Sequence, residues 1–253
     1  MKVARHLVEA RRERLADLLR QHRYLPLHDV CSQFGISEAT ARRDLAALSD
    51  AKKVTRTYGG ALADYNATFA SFAERRNLSR EAKRKIAARA LALLRPGMTC
   101  YLDAGTTMLA LAEALRQRPV TPLTIVTNNL LVAETLAEQP GIEVHLLGGL
   151  LLRRQSVLLG EQAKKSAAAW RFDLVFLGAE GMDAEGITNS QDDVVEFQKT
   201  VAGRSKRVVL CLDAAKLGHR AAAFLFPWKQ VDLLLTDASA AILRRHGIAA
   251  KLV

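Results

Sequence analysis

Cysteine is scarce in this 253-residue sequence: Cys31, Cys100 and Cys211 are the only three. They are far apart, odd in number and set in apolar patterns, which excludes a disulfide framework and a metal-ligand spacing. The expectation is three buried thiols in a reducing cytoplasm, with no metal and no cofactor. Long hydrophobic runs are also missing. None approaches the roughly 20 apolar residues that a membrane helix needs, so no membrane partner is expected. The basic opening MKVARHLVEARRERLADLLRQ lacks the continuous apolar stretch and the small-residue cleavage site of an export leader. Instead, Leu7, Val8, Leu15, Leu18 and Leu19 predict an amphipathic first helix. There is no internal repeat and no low-complexity tract.

Acidic residues are sparse at one end only. Residues 1–60 hold 12 Lys and Arg against 7 Asp and Glu, residues 61–95 hold 8 against 3, and the remainder holds 17 against 16. Nearly all of the net charge of +11 therefore sits in the first 95 residues. Such asymmetry is expected of a chain that meets a polyanion with one end.

Within that basic end, Leu27, Val30, Cys31 and Phe34 recur at helical spacing. Gly35 then supplies the backbone freedom of a tight turn, and Ser37 is a good N-cap for a second helix. Ala41, Leu45 and Leu48 of that helix face inward, which leaves Ser37, Glu38, Thr40, Arg42 and Arg43 facing out or flanking. A hydroxyl and paired guanidiniums at the start of a helix are the donors that base edges and phosphates accept from. The polar, β-prone run with Lys53, Arg56 and Tyr58, ending in Gly59-Gly60, predicts a two-stranded wing. An ordinary helix pair with a solvated arginine face has the same local pattern. The charge asymmetry favours a reader of double-stranded DNA.

Residues 1–61 are read as this module, 62–79 as a linker, and 80–253 as a second domain. A basic helix is expected over Arg80–Arg95. Beyond it, apolar runs at Thr99–Leu102, Leu123–Thr127, Glu143–Leu147, Asp173–Leu177, Arg207–Leu212 and Val231–Thr236 predict strands. Helical patterns between them (Met108–Gln117, Leu130–Glu138, Glu161–Ala169, Asp193–Gly203) predict crossovers. The fold class is α/β, a doubly wound and mostly parallel sheet covered on both faces.

Ligands of such sheets bind outside the carboxyl ends of the strands, where this sequence gathers small and polar residues. The run Asp103-Ala104-Gly105-Thr106-Thr107 places a glycine and two hydroxyls where a helix begins, an anion site in the making. Thr127-Asn128-Asn129, Gly148-Gly149, Gly178-Ala179-Glu180-Gly181 and Asp213-Ala214-Ala215-Lys216 follow later strands. Each alone is a plain cap, turn or surface pair. Converging on one crevice, they predict a small, polyhydroxylated, anionic ligand of the sugar-phosphate kind.

These residues together resemble the DeoR family of bacterial transcription regulators nearly end to end. The resemblance is carried by Ser37, Thr40, Arg42-Arg43-Asp44-Leu45 and Gly59-Gly60-Ala61, by Arg75 followed at Lys83 to Ala87 by Lys-x-x-Ile-Ala, and by Asp103 to Thr107, Thr127-Asn128, Gly148-Gly149 and Asp213 to Lys216. Ala41 and Ala215 depart from the family pattern, where a larger aliphatic and a serine are usual. The resemblance implies a winged helix-turn-helix joined to a sensor domain similar to ribose-5-phosphate isomerase and CoA transferases. It further implies a cytoplasmic homo-oligomer, dimer or tetramer, that represses a sugar, polyol or sugar-acid operon and is not an enzyme. Ser37, Glu38, Thr40, Arg42, Arg43, Lys53, Arg56 and Tyr58 are then assigned to operator DNA. Asp103, Gly105, Thr106, Thr107, Thr127, Asn128, Asn129, Gly148, Gly149, Asp213 and Lys216 are assigned to a phosphorylated sugar or sugar-acid effector. The rival reading is a sugar-phosphate isomerase fused to a DNA-binding module, with Glu180, Asp183 and Lys216 as candidate catalytic groups.

Overall fold

A computed structural model describes residues 5–22, 24–51, 53–57, 60–63 and 70–248. At the N-terminal end, helix α1 (Arg5–His22) leads into strand β1 (Tyr24–Pro26), helix α2 (Leu27–Phe34) and helix α3 (Glu38–Asp50). Strands β2 (Val54–Thr57) and β3 (Gly60–Ala63) follow. The predicted wing gains a strand: β1 pairs antiparallel with β3, giving the order β1-β3-β2. Tyr24-Leu25-Pro26 is too short, and ends in a residue too poor at pairing, to read as a strand from sequence. Leu15, Leu19, Val30, Ala41, Leu45 and Leu48 are buried together in one apolar cluster, as the helical spacings predict. Leu7 is the exception, on the exposed side of α1. Gly35 has a φ of 59° at the turn between α2 and α3.

The C-terminal part is built on a six-stranded parallel sheet. Its strands are β4 (Thr99–Leu102), β5 (Leu123–Thr127), β6 (Ile142–Leu146), β9 (Leu174–Leu177), β12 (Val208–Cys211) and β14 (Leu233–Leu235). The six predicted strands are all present, with ends shifted by two residues at most. Their alternation is strict. Cys100, Leu102, Ile125, Phe176, Val209 and Leu235 enter one apolar cluster. Tyr101, Val126, Val175, Leu177, Leu210 and Leu234 enter another on the opposite face. Helices cover both faces, so the four central strands are held by packing on both sides, while the edge strand β6 keeps Glu143 and Leu146 exposed.

The strand order is β14-β12-β9-β4-β5-β6. The chain winds outward from β4 through β5 to β6, then returns to lie beside β4 as β9 and winds the other way. The crevice of an open α/β sheet opens at such a reversal, here between the carboxyl ends of β4 and β9. Shorter strands not foreseen from sequence enclose it: the hairpin β7 (Leu150–Leu152) and β8 (Val157–Leu159), and the sheet of β10 (Gly181–Met182), β11 (Ile187–Asn189) and β13 (Ala223–Phe226).

The predicted linker is partly folded. Residues Phe72–Asn77 form a helix whose start is fixed by a capping box, in which Ser71 and Glu74 each bond the other's backbone. Phe72 is buried in the sheet's core. The following helix, Arg80–Leu91, ends four residues short of the expected limit.

Candidate functional site

The exposed face of α3 and the cavity of the parallel sheet are built differently. In the first, Ser37 caps α3, its Oγ accepting from the Thr40 N–H at 3.3 Å. Glu38 and Arg42 pair across one turn at 3.3 Å, and the Arg43 Nε donates to the Ala39 carbonyl at 3.1 Å. Ser37, Glu38, Arg42, Arg43 and Lys53 are exposed and Thr40 is half-buried. The side chain of Arg56 and the whole of Tyr58 lie outside the described residues. Asp44, on the opposite side of α3, is buried. Arg11 and Arg12 hold it from α1, at 2.7 and 2.8 Å. Two of the basic residues counted toward a polyanion are thus spent inside the module. A third, Arg14, stands over the Phe34 ring at 5.8 Å.

The cavity encloses about 630 Å³ at the reversal of the sheet. Its floor is Asp103, just past β4. The Asp103 Oδ2 accepts from the Gly178 N–H past β9 at 3.0 Å and from the Gln198 Nε2 at 2.7 Å. Gln198 also donates to the Gly178 carbonyl at 2.8 Å and accepts from Asn189 at 3.1 Å. Tyr101 lies 3.4 Å from Asp103 but 2.7 Å from the Asn128 Oδ1, so its single phenol proton serves Asn128. Burial pushes the Asp103 carboxyl above the usual carboxylate range, against the hydrogen bonds that favour its ionised form.

One wall is a helix start. Gly105 caps the Thr106–Gln117 helix without any side-chain bond; its carbonyl takes the Met108 N–H at 3.0 Å, which leaves the N–H groups of Thr106 and Thr107 to suit an anion. Facing the same space are Arg75, Lys83 and Lys216. The Lys83 Nζ is bonded at 2.5 Å to the carbonyls of both Arg75 and Leu78. Burial holds its ammonium below the usual lysine range; Asp213 opposes that shift, while Lys216 and Arg75 reinforce it. Asp213 caps the Ala214–Lys216 turn through the Ala215 N–H at 3.1 Å. Carboxylates and cationic side chains thus share one chamber.

Of the residues expected to bind the effector, Asp103, Gly105, Thr106, Thr107, Asn128, Asp213 and Lys216 line the cavity. Thr127, Asn129, Gly148 and Gly149 do not. The Thr127 Oγ1 donates to the Leu102 carbonyl at 2.7 Å, tying β5 to β4. Asn129 caps the Leu130–Leu136 helix and holds the Ala104 carbonyl at 3.0 Å, which shapes the floor from behind. Gly149 has a φ of 144°, and a Cβ there would stand 2.5 Å from the Leu159 carbonyl. Its glycine therefore lets the hairpin close rather than a ligand approach. Asp183 is likewise absent from the lining, being tied to the Glu185 and Gly186 N–H groups, whereas Glu180 faces in.

The sequence reading did not assign Arg75, Lys83, Gln155, Asn189 or Gln198 to the site. Two of them had a signal. Lys83 is three residues before Ile86 and seven before Ala90, and Gln198 is one after Phe197 and three before Val201, so both fall on inward faces where a polar residue needs a reason. Cys31 is half-buried and Cys100 and Cys211 are buried, all three unlinked. Burial raises the Cys100 thiol to about 12, and Cys211 also upward. Among the described residues, no helix is long and apolar enough to cross a membrane.

Comparison with known proteins covers both parts. Residues 11–66 match the DeoR-like helix-turn-helix domain, and residues 78–238 match the DeoR C-terminal sensor domain. The chain is 31% identical over 225 residues to the glycerol-3-phosphate regulon repressor of Escherichia coli K12, covering 88% of each chain. It is 30% identical over 246 residues to the transcriptional repressor GlcR of Bacillus subtilis, covering 95% of this chain and 94% of that one. Among solved structures, it is similar to ribose 5-phosphate isomerase A from Methanocaldococcus jannaschii at 17% identity and a TM-score of 0.40, over 55% of this chain and 54% of that one. That likeness is too distant to bear on activity.

Proposed function

This chain belongs to the DeoR family of transcriptional regulators, and from that premise we propose that it represses a sugar, polyol or sugar-acid operon and leaves its operator when a phosphorylated sugar or sugar acid fills the cavity. The observation that carries the effector reading is the composition of that chamber. An uncapped helix start and the ammoniums of Lys83 and Lys216 suit a phosphate, while Asp103, Asn128 and Asp213 suit hydroxyls. Ser37, Glu38, Thr40, Arg42 and Arg43 take the operator, with the wing beside them. Exposed Leu130, Leu146, Leu150 and Leu151, around the edge strand β6, support self-association.

The effector works by binding one sensor state better than another and can shift the operator equilibrium by no more than that difference. The test has two parts. Phosphorylated sugars and sugar acids are screened for a rise in Tm of the full chain, then for release of an operator fragment selected from random DNA. A hit that raises Tm and weakens operator binding, with the unphosphorylated sugar doing neither, is the expected result. Sustained conversion of ribose 5-phosphate to a ketose would instead make the chain an enzyme. Arg43→Ala is expected to weaken operator binding by about 10- to 100-fold at fixed salt, the cost of one base-reading arginine. Unchanged affinity would move the recognition face elsewhere.

A further inference from the structure

Every buried side-chain nitrogen and oxygen among the described residues has a hydrogen-bond partner except one, the Nε2 of Gln155. Gln155 is 6% exposed and lines the cavity. It sits at the end of the short turn Arg153–Gln155, between β7 and β8, where Leu152, Val157 and Leu159 form an apolar wall around it. A buried amide donor left without an acceptor costs stability, which a protein keeps only where something else supplies the acceptor.

The orientation of the amide is fixed from outside. An Arg75 terminal nitrogen donates to the Gln155 Oε1 at 2.7 Å, and a guanidinium can only donate, so the oxygen faces Arg75 and the NH₂ group is the end left over. Arg75 is itself held by a bond from its Nε to the Ala70 carbonyl at 3.2 Å. The ammoniums of Lys83 and Lys216 and the helix start at Gly105 come from other elements and suit a dianion. Arg75 lines the cavity beside Gln155, but its guanidinium is turned to the Gln155 Oε1 and the Ala70 carbonyl, so the donor left over here is a neutral amide, which suits a neutral oxygen.

We propose that Gln155 is a specificity-determining residue of the sensor, donating from its Nε2 to a hydroxyl or carbonyl oxygen on the sugar body of the effector, and that Arg75 is the positioning residue that presents it. The proposal rests on the sensor reading above and adds a requirement to it. The ligand must be a phosphate ester that carries an oxygen acceptor at the hairpin wall, so inorganic phosphate binds without using Gln155.

The test compares the full-length wild type, Gln155→Met and Gln155→Glu by calorimetry, using inorganic phosphate, ribose 5-phosphate and 6-phosphogluconate as probes. Gln155→Met removes the donor without adding charge. It is expected to weaken the tighter sugar probe by about 10-fold, the worth of one buried hydrogen bond, while leaving inorganic phosphate within about 2-fold. Gln155→Glu keeps the Arg75 contact and removes the orphan donor. Its unliganded Tm is expected to equal or exceed that of the wild type, whereas a purely structural glutamine would show a fall. Arg75→Lys, whose single ammonium cannot bond the Gln155 Oε1 and the Ala70 carbonyl in the same geometry, is expected to follow Gln155→Met in its selectivity. Equal sugar-probe affinity in wild type and Gln155→Met overturns the proposal and spares the sensor reading. Loss of inorganic phosphate in parallel with sugar probes overturns the assignment to the sugar body. A wild type that binds none of the three probes sinks the sensor reading, and this inference with it.

Discussion

Asp44 in the N-terminal part and Asp103 in the C-terminal part are both buried carboxylates, and the two are kept in opposite ways. Asp44, 2% exposed, is held by the guanidiniums of Arg11 and Arg12 and ties α1 to α3. Asp103, 5% exposed, is held by neutral donors from Gly178 and Gln198, and among the described residues no ion pair reaches it. The first is a closed contact. It has nothing left to offer and serves to set the angle at which α3 is presented. The second is an open one. Its charge is tolerated rather than compensated, at the point where a ligand's hydroxyl could share it. A DNA-reading unit profits from rigidity, and a sensor needs a group whose environment a ligand can change.

The same substitution should therefore act with opposite sign at the two sites. Asp44→Asn leaves two guanidiniums against a neutral amide and is expected to cost about 2–3 kcal/mol, less than a fully buried pair because both arginines are partly solvated. Denaturant unfolding followed by a probe on α1 measures it, and a loss below about 0.5 kcal/mol would remove the contrast.

Asp103→Asn relieves an uncompensated buried charge and is expected to raise the unliganded Tm near neutral pH by about 2–4 °C, the shift that roughly 1 kcal/mol gives in a chain of this size. The pH dependence follows from the raised folded value of Asp103. The folded state holds that proton more readily than the unfolded state, so the wild type gains stability as pH falls through the folded value toward the ordinary carboxylate range. The gain is lost again as pH rises. Melting the two proteins side by side should show their difference narrowing toward acid pH, and a difference that stays constant would deny Asp103 this role.

The smallest effect is expected from Arg12→Gln, about 0.5–1 kcal/mol. Arg11 still holds Asp44, and the Arg12 side chain is 33% exposed. A loss equal to that of Asp44→Asn would mean that the pair acts as one unit.

How far the sequence discloses this arrangement depends on periodicity. The strands Thr99–Leu102 and Leu123–Thr127 are legible to the residue because each run begins shortly after a proline and stops against a polar residue, Asp103 or Asn128, at its carboxyl end. The helix pair of the reading unit is legible because Ala41, Leu45 and Leu48 repeat at helical spacing around a glycine turn. The three-residue strands β1, β7, β8 and β11 are not, since so short a run gives too few alternations to stand out, whereas β14, of the same length, sits inside the longer run Val231–Thr236. Asp103 and Lys216 are found because strand ends in a parallel sheet converge. Gln155 is not found by that rule: it reaches the cavity from a hairpin that belongs to no strand end, and only three-dimensional placement leaves its amide without a partner. Asn129 errs the other way, standing at a strand end yet consumed as a cap. A motif fixes where a residue begins its path, and packing decides whether its side chain has anything left for a ligand.

The two carbonyls held by Lys83 bear on how the two parts connect. Ala63 closes the reading unit's last strand, and Ser71 opens the first helix of the sensor. The last turn of that helix is gripped by an ammonium in the cavity wall, so the first folded element after the reading unit and the wall that would meet a ligand are one piece.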